Sequence, residues 1–138
     1  MIMKYNTAIG LIVLLSLAQI ALILQGILPP LSDNTPGNIL FWLAKQAVVA
    51  YAIWTNARSG LRSSFTAGLA VSIVGLLVMY LAAAVYVGDA WNPVLGVQAE
   101  NLGQSLLVLS VTLIVNIAIN VVIVGIIALA AKKLSKRR

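Results

Sequence analysis

The chain has 138 residues, 62% of them apolar and only 9% charged, with a formal net charge of +6. That composition excludes an ordinary soluble domain and implies one lipid-compatible unit whose excess positive charge faces something anionic. With neither cysteine nor histidine in the sequence, disulfides, thiolate nucleophiles, haem ligation, nearly all zinc and iron sites and any histidine-based hydrolytic triad are excluded.

The first predicted element is an apolar run from Thr7 to Leu28, ending at Pro29 and Pro30. It is too long for the apolar core of a secretory signal, so it predicts a retained membrane-spanning helix. The following loop, PPLSDNTPGN, is rich in turn formers. A second helix is expected over 39–56, with Lys45 and Gln46 inside it and Arg58 and Arg62 just beyond. A third is expected over 65–88, then a longer loop, GDAWNPVLGVQAENLG. The fourth is expected over 104–131, a run with no ionised group that gives way to the tail KKLSKRR. A helix of that length is about 42 Å long, more than the roughly 30 Å hydrocarbon core of a bilayer.

The predicted fold is therefore all-α: one domain over residues 1–138, built as four hydrophobic membrane-type helices in two antiparallel hairpins, with a short basic tail over 132–138. Charge supports that topology. Lys4, Arg58, Arg62 and the five basic residues of the tail fall on one side of a four-span arrangement, and Asp33, Asp89 and Glu100 fall on the other. This is the positive-inside pattern with both termini cytoplasmic. Aromatic residues agree, with Tyr5, Trp54 and Phe65 near the inner boundary and Phe41, Trp42, Tyr86 and Trp91 near the outer one.

Lys45 is the one ionisable side chain inside a predicted span. Such a residue is costly in lipid, about 2.5–3.5 kcal/mol on insertion scales, and normally faces a protein interior or cavity. Its depth matches that of Gln19, Asn116 and Asn120, with Gln46 beside it, so these residues define a candidate intramembrane polar layer. Two roles fit it: binding an anion or small polar solute midway through the bundle, or interhelical amide bonding while Lys45 snorkels outward. No acid lies in any predicted span, so an ion-coupling carboxylate is missing. Gly68, Ser72 and Gly75 form a small-residue stripe suited to close helix packing, as do Ala44 and Ala47.

The basic set Arg58, Arg62, Lys132, Lys133, Lys136, Arg137 and Arg138 suits anionic lipid or, alternatively, sequence-independent contact with DNA phosphates. With no paired carboxylates and no phosphate loop, no catalytic residue, metal or cofactor is expected.

In layout, the four apolar helices, the acids confined to loops and the basic end KKLSKRR resemble the major capsid proteins of archaeal spindle-shaped viruses. The chain is also somewhat similar to membrane-derived conjugative pilins. The resemblance to the capsid proteins implies a non-enzymatic subunit that enters a host membrane and then self-assembles side by side into a virion coat or tube, basic face toward DNA. The alternative is a small resident membrane protein, a transporter, channel or accessory subunit, that uses the layer around Lys45. The expected partners are copies of itself, the bilayer and, in the first case, DNA.

Overall fold

The computed structural model describes residues 2–33 and 35–136, with side chains described from Asn6 onward. Most of the chain is helical. Four α-helices form, α1 (Ile2–Leu24), α2 (Pro36–Asn56), α3 (Leu61–Ala84) and α4 (Leu102–Lys136), with a 3-10 turn over Ala57–Ser59 between α2 and α3.

Local chemistry sets their ends. α1 stops short of the predicted 28 because Gly26 takes φ +77. Ile27 N–H then bonds Leu22 O at 2.9 Å and Gly26 N–H bonds Ile23 O at 3.1 Å, a paired closure of the last helical carbonyls that favours glycine at the left-handed position. α2 starts earlier than predicted, at Pro36, whose fixed φ and missing N–H suit the first helical position. Gly60, at φ +111, turns the chain tightly into α3, which therefore begins at Leu61 and includes Arg62 in its first turn. α4 is capped by Asn101, whose Oδ1 accepts Gln104 N–H at 2.8 Å, while Gln104 Oε1 accepts Glu100 N–H at 2.5 Å.

Three corrections follow. The segment expected as a separate tail is largely helix, because α4 runs unbroken to Lys136 and is about 52 Å long. Lysine and serine have no helix-breaking chemistry, and the hydrogen-bond ladder simply continues through them. The chain is not purely α: Trp91–Asn92 and Val97–Gln98 form a short antiparallel ribbon, β1 and β2, with Trp91 opposite Gln98 and Asn92 opposite Val97. Finally, only α1, α3 and α4 are long and apolar enough to cross a membrane by composition; α2 is not, since Asn38, Lys45, Gln46, Thr55 and Asn56 dilute it.

α2 and α3 pack on each other and on both remaining helices, so α1 and α4 flank that central pair. The buried core divides into two clusters. One gathers Ile12, Val49, Ile53, Val71, Val124 and Ala128; the other gathers Ile20, Met79, Tyr80, Val94 and Leu95. In sequence, Ser16 and Gln19 fall between the α1 contributions to these clusters, and Ser72 and Gly75 between those of α3. A polar layer thus separates two apolar ones.

Small residues permit the close approach. A Cβ on Gly68 would lie 2.5 Å from Ile53 Cγ1 and 3.0 Å from Val124 Cγ1, and one on Gly75 would lie 2.9 Å from Ile12 Cγ1. The stripe of Gly68, Ser72 and Gly75 is therefore buried inside the chain. Ala44 and Ala47 differ: the first is half-buried and the second exposed.

The outward faces are apolar. Leu107, Ile114, Val122, Ile126 and Leu129 of α4 are all exposed, and only four residues of that helix are buried. The total accessible surface is 8071 Å², above the roughly 6,900 Å² expected for a soluble monomer of this mass.

Candidate functional site

The polar layer is built from α1 and α2 outward. Gln19, 2% exposed on α1, is held at both ends of its amide. Its Oε1 accepts a hydrogen bond from Lys45 Nζ at 2.5 Å, and its Nε2 donates to Asn38 Oδ1 at 3.1 Å. Asn38 then uses its own Nδ2 to hold the carbonyls of Pro29, Pro30 and Asp33, at 3.0–3.2 Å. Lys45 is thus tied through two amides to the loop that joins α1 and α2.

The run PPLSDNTPGN reads as a loop, but its last residue, Asn38, belongs to α2. Its signal was the proline two residues earlier, which starts the helix and places Asn38 in the first turn, facing inward.

Asn116 and Asn120 lie on α4 and do not bond to Lys45. Asn116 Nδ2 donates to Tyr80 Oη at 2.9 Å and to Thr112 O at 2.9 Å, and Asn120 Nδ2 donates to Asn116 O at 2.8 Å. Tyr80 is the α3 partner that fixes this side of the layer.

All five predicted layer residues, Gln19, Lys45, Gln46, Asn116 and Asn120, line one cavity of about 580 Å³ among the four helices. Its remaining wall is mostly apolar, with Trp42, Leu76, Met79 and Leu95 prominent, and Ser72 and Gly75 also border it. Ribbon and loop border one end of it, where Leu31 N–H bonds Val94 O at 2.9 Å and Ser32 N–H bonds Leu95 O at 3.2 Å.

Gln46 and Ser72, which border the cavity, each carry a buried side-chain oxygen with no hydrogen-bond partner, as does Ser16 nearby. Such groups carry a cost of about 1–3 kcal/mol each unless something meets them. Among the described residues Lys45 bonds only to Gln19 and has no carboxylate partner. Its ammonium has three donors, so two remain. The site can therefore bind a polar guest electrostatically.

The basic residues gather at the opposite end from the ribbon. Arg58 is exposed in the 3-10 turn against which α4 packs. Arg62 is exposed too and lines a shallow groove of about 500 Å³ with Asn56, Ser59, Ser63 and Thr66. Lys132 is half-buried and Lys133 and Lys136 are exposed on the last turns of α4. Arg137 and Arg138 lie outside the described residues, as do the side chains of Lys4 and Tyr5. Asp33, Asp89 and Glu100 are exposed in the loops, Asp33 in the one that docks on the ribbon.

No protein-family model matches the chain, no curated protein matches its sequence, and no solved structure matches its fold.

Proposed function

We propose that this chain is a resident membrane protein that crosses the bilayer four times, as two antiparallel helical hairpins with both termini on the basic, cytoplasmic side, and that its intramembrane cavity binds a small polar molecule. The observation that carries this reading is the convergence of Lys45, Gln46 and Ser72 on one cavity, with two buried atoms there unpartnered. A layer serving only to hold helices in register has no need of an open volume this large.

The crossing of α2 is the step composition argues against, and the distribution of its side chains supports it. Asn38, Lys45 and Gln46 line the cavity, while Leu40, Leu43, Tyr51 and Trp54 are exposed away from it. These three residues thus lower its mean hydropathy without facing lipid. The hairpin pairing of α3 with α4 is supported by contact order: Tyr80 meets Asn116 and Gly68 lies against Val124, so the two sequences run opposite ways.

The test uses the cysteine-free background. Gln46→Cys on the cavity wall is expected to react with a charged, water-soluble thiol reagent, whereas Ile114→Cys, on the exposed apolar face, is expected to stay unmodified. Equal reactivity at the two positions would overturn the reading.

A second reading, assembly into a coat or tube around DNA, draws on the bare apolar face of α4 and its length beyond a bilayer. The small-residue stripe adds nothing to it, since that stripe is used within the chain. Release of the protein into the medium with nuclease-protected DNA would favour it; recovery only in membranes would remove it.

A further inference from the structure

We infer that the molecule held by this cavity is a small organic monoanion, a carboxylate with a hydroxyl or N–H group beside it and an apolar body. The inference rests on the reading of the cavity as a binding site and adds the chemistry of the guest.

Three features of the wall select that class. Among the described residues that line it, Lys45 is the only charged one and none is acidic. A guest with one negative charge neutralises that ammonium; a cation meets like charge, and a dianion leaves one charge uncompensated in a water-poor interior. Because Gln19 Oε1 takes one ammonium proton, two remain for the two oxygens of a carboxylate. This anchor is also fixed in place, since Gln19 is in turn held by Asn38.

The second feature is the unpartnered Gln46 Oε1, a group that can only accept. A bare carboxylate offers it nothing. Both oxygens are buried as they stand, so a guest engages them by turning the side chains: a hydroxyl or N–H next to the carboxylate then donates to Gln46 Oε1, while Ser72 Oγ, equally unpartnered, can donate to the guest or accept from it.

The third feature is size and polarity. A volume of about 580 Å³ walled by Trp42, Leu76, Met79 and Leu95 lies in the range of pockets for small organic ligands, roughly 300–1,000 Å³. An inorganic anion would leave most of that wall facing empty space or water.

The experiment is equilibrium dialysis of radiolabelled mandelate against the full chain in phosphatidylcholine nanodiscs, with empty nanodiscs subtracted. Phenylacetate, which lacks the hydroxyl, benzylamine and benzyl alcohol serve as competitors. Mandelate is expected to bind saturably, phenylacetate to compete about tenfold less well, and the amine and the alcohol not to compete. Lys45→Met is expected to lose binding by at least tenfold while Lys45→Arg keeps it. Gln46→Leu is expected to abolish the preference for mandelate over phenylacetate without abolishing phenylacetate binding. That selective loss separates a ligand contact from a folding defect, which would weaken both acids alike.

Equal competition by benzylamine or benzyl alcohol would overturn the inference, and so would the absence of saturable mandelate binding. If Gln46→Cys still reacts with the aqueous reagent in that case, the cavity stands and only its assigned guest falls. If it does not react, the binding-site reading fails with it.

Discussion

Lys45 Nζ reaches across from α2 to donate to Gln19 Oε1 on α1 at 2.5 Å, and the same Gln19 donates to Asn38 at 3.1 Å. One glutamine therefore accepts one hydrogen bond from a half-buried cation and orients the residue that holds the α1–α2 loop. Replacing it by leucine keeps most of the volume but leaves the Lys45 ammonium and Asn38 Oδ1 without this partner. Gln19→Leu is expected to destabilise the folded protein by about 1–3 kcal/mol, seen as a lowered unfolding temperature in detergent. The double variant Gln19→Leu with Lys45→Met is expected to recover part of that loss, because the orphaned charge is gone.

Gly68 sits where α3 meets both α2 and α4. An added methyl would fall 2.5 Å from Ile53 Cγ1, 2.7 Å from Ile53 Cδ1 and 3.0 Å from Val124 Cγ1, so the buried Ile53 side chain has to move and Val124 has to give way. Gly68→Ala is expected to cost about 1–3 kcal/mol. Gly10→Ala is the control: nothing lies within 4 Å of its added carbon, and a neutral or mildly stabilising change is expected. Thermal unfolding of the two variants side by side checks the contrast.

Asn92 fastens the ribbon to the end of α3. It is buried, its Nδ2 donates to Ala83 O at 2.9 Å, and its Oδ1 accepts the N–H groups of Val94 and Leu95, both at 3.1 Å. Since Leu95 and Val97 border the cavity, loosening the ribbon is expected to widen that end. Asn92→Ala is expected to speed amide hydrogen exchange over residues 94–98 and to raise the rate at which the charged thiol reagent modifies Gln46→Cys. Unchanged rates at both places would show that the ribbon does not close the cavity.

Much of this organisation was legible because polar residues are conspicuous in apolar helices. Gln19, Lys45, Gln46, Asn116 and Asn120 stood out in the sequence, and the fold brings all five to one cavity. The links between them were not legible. Tyr80 could equally have packed as an apolar ring, and only the relative placement of α3 and α4 makes it the partner of Asn116.

Asn38 was obscured by its neighbours, since a run of turn formers conceals the residue that faces inward once Pro36 has started the helix. The helical state of Lys132, Lys133 and Lys136 was obscured differently. Hydropathy ends at Ala131, but backbone hydrogen bonding does not depend on hydropathy, and α4 continues. Composition likewise set α2 apart from the other three helices, although its polar side chains are turned toward the cavity.

The most direct test of the account is the passage of α2, carrying Lys45, through the bilayer. Single cysteines at Asp33 and Arg58, which flank that helix, can be labelled with an impermeant maleimide in intact cells and again after lysis. The account predicts that Asp33→Cys is labelled in intact cells and Arg58→Cys only after lysis. Labelling of both in intact cells, or of neither, would place the two ends of α2 on one side of the membrane and contradict it.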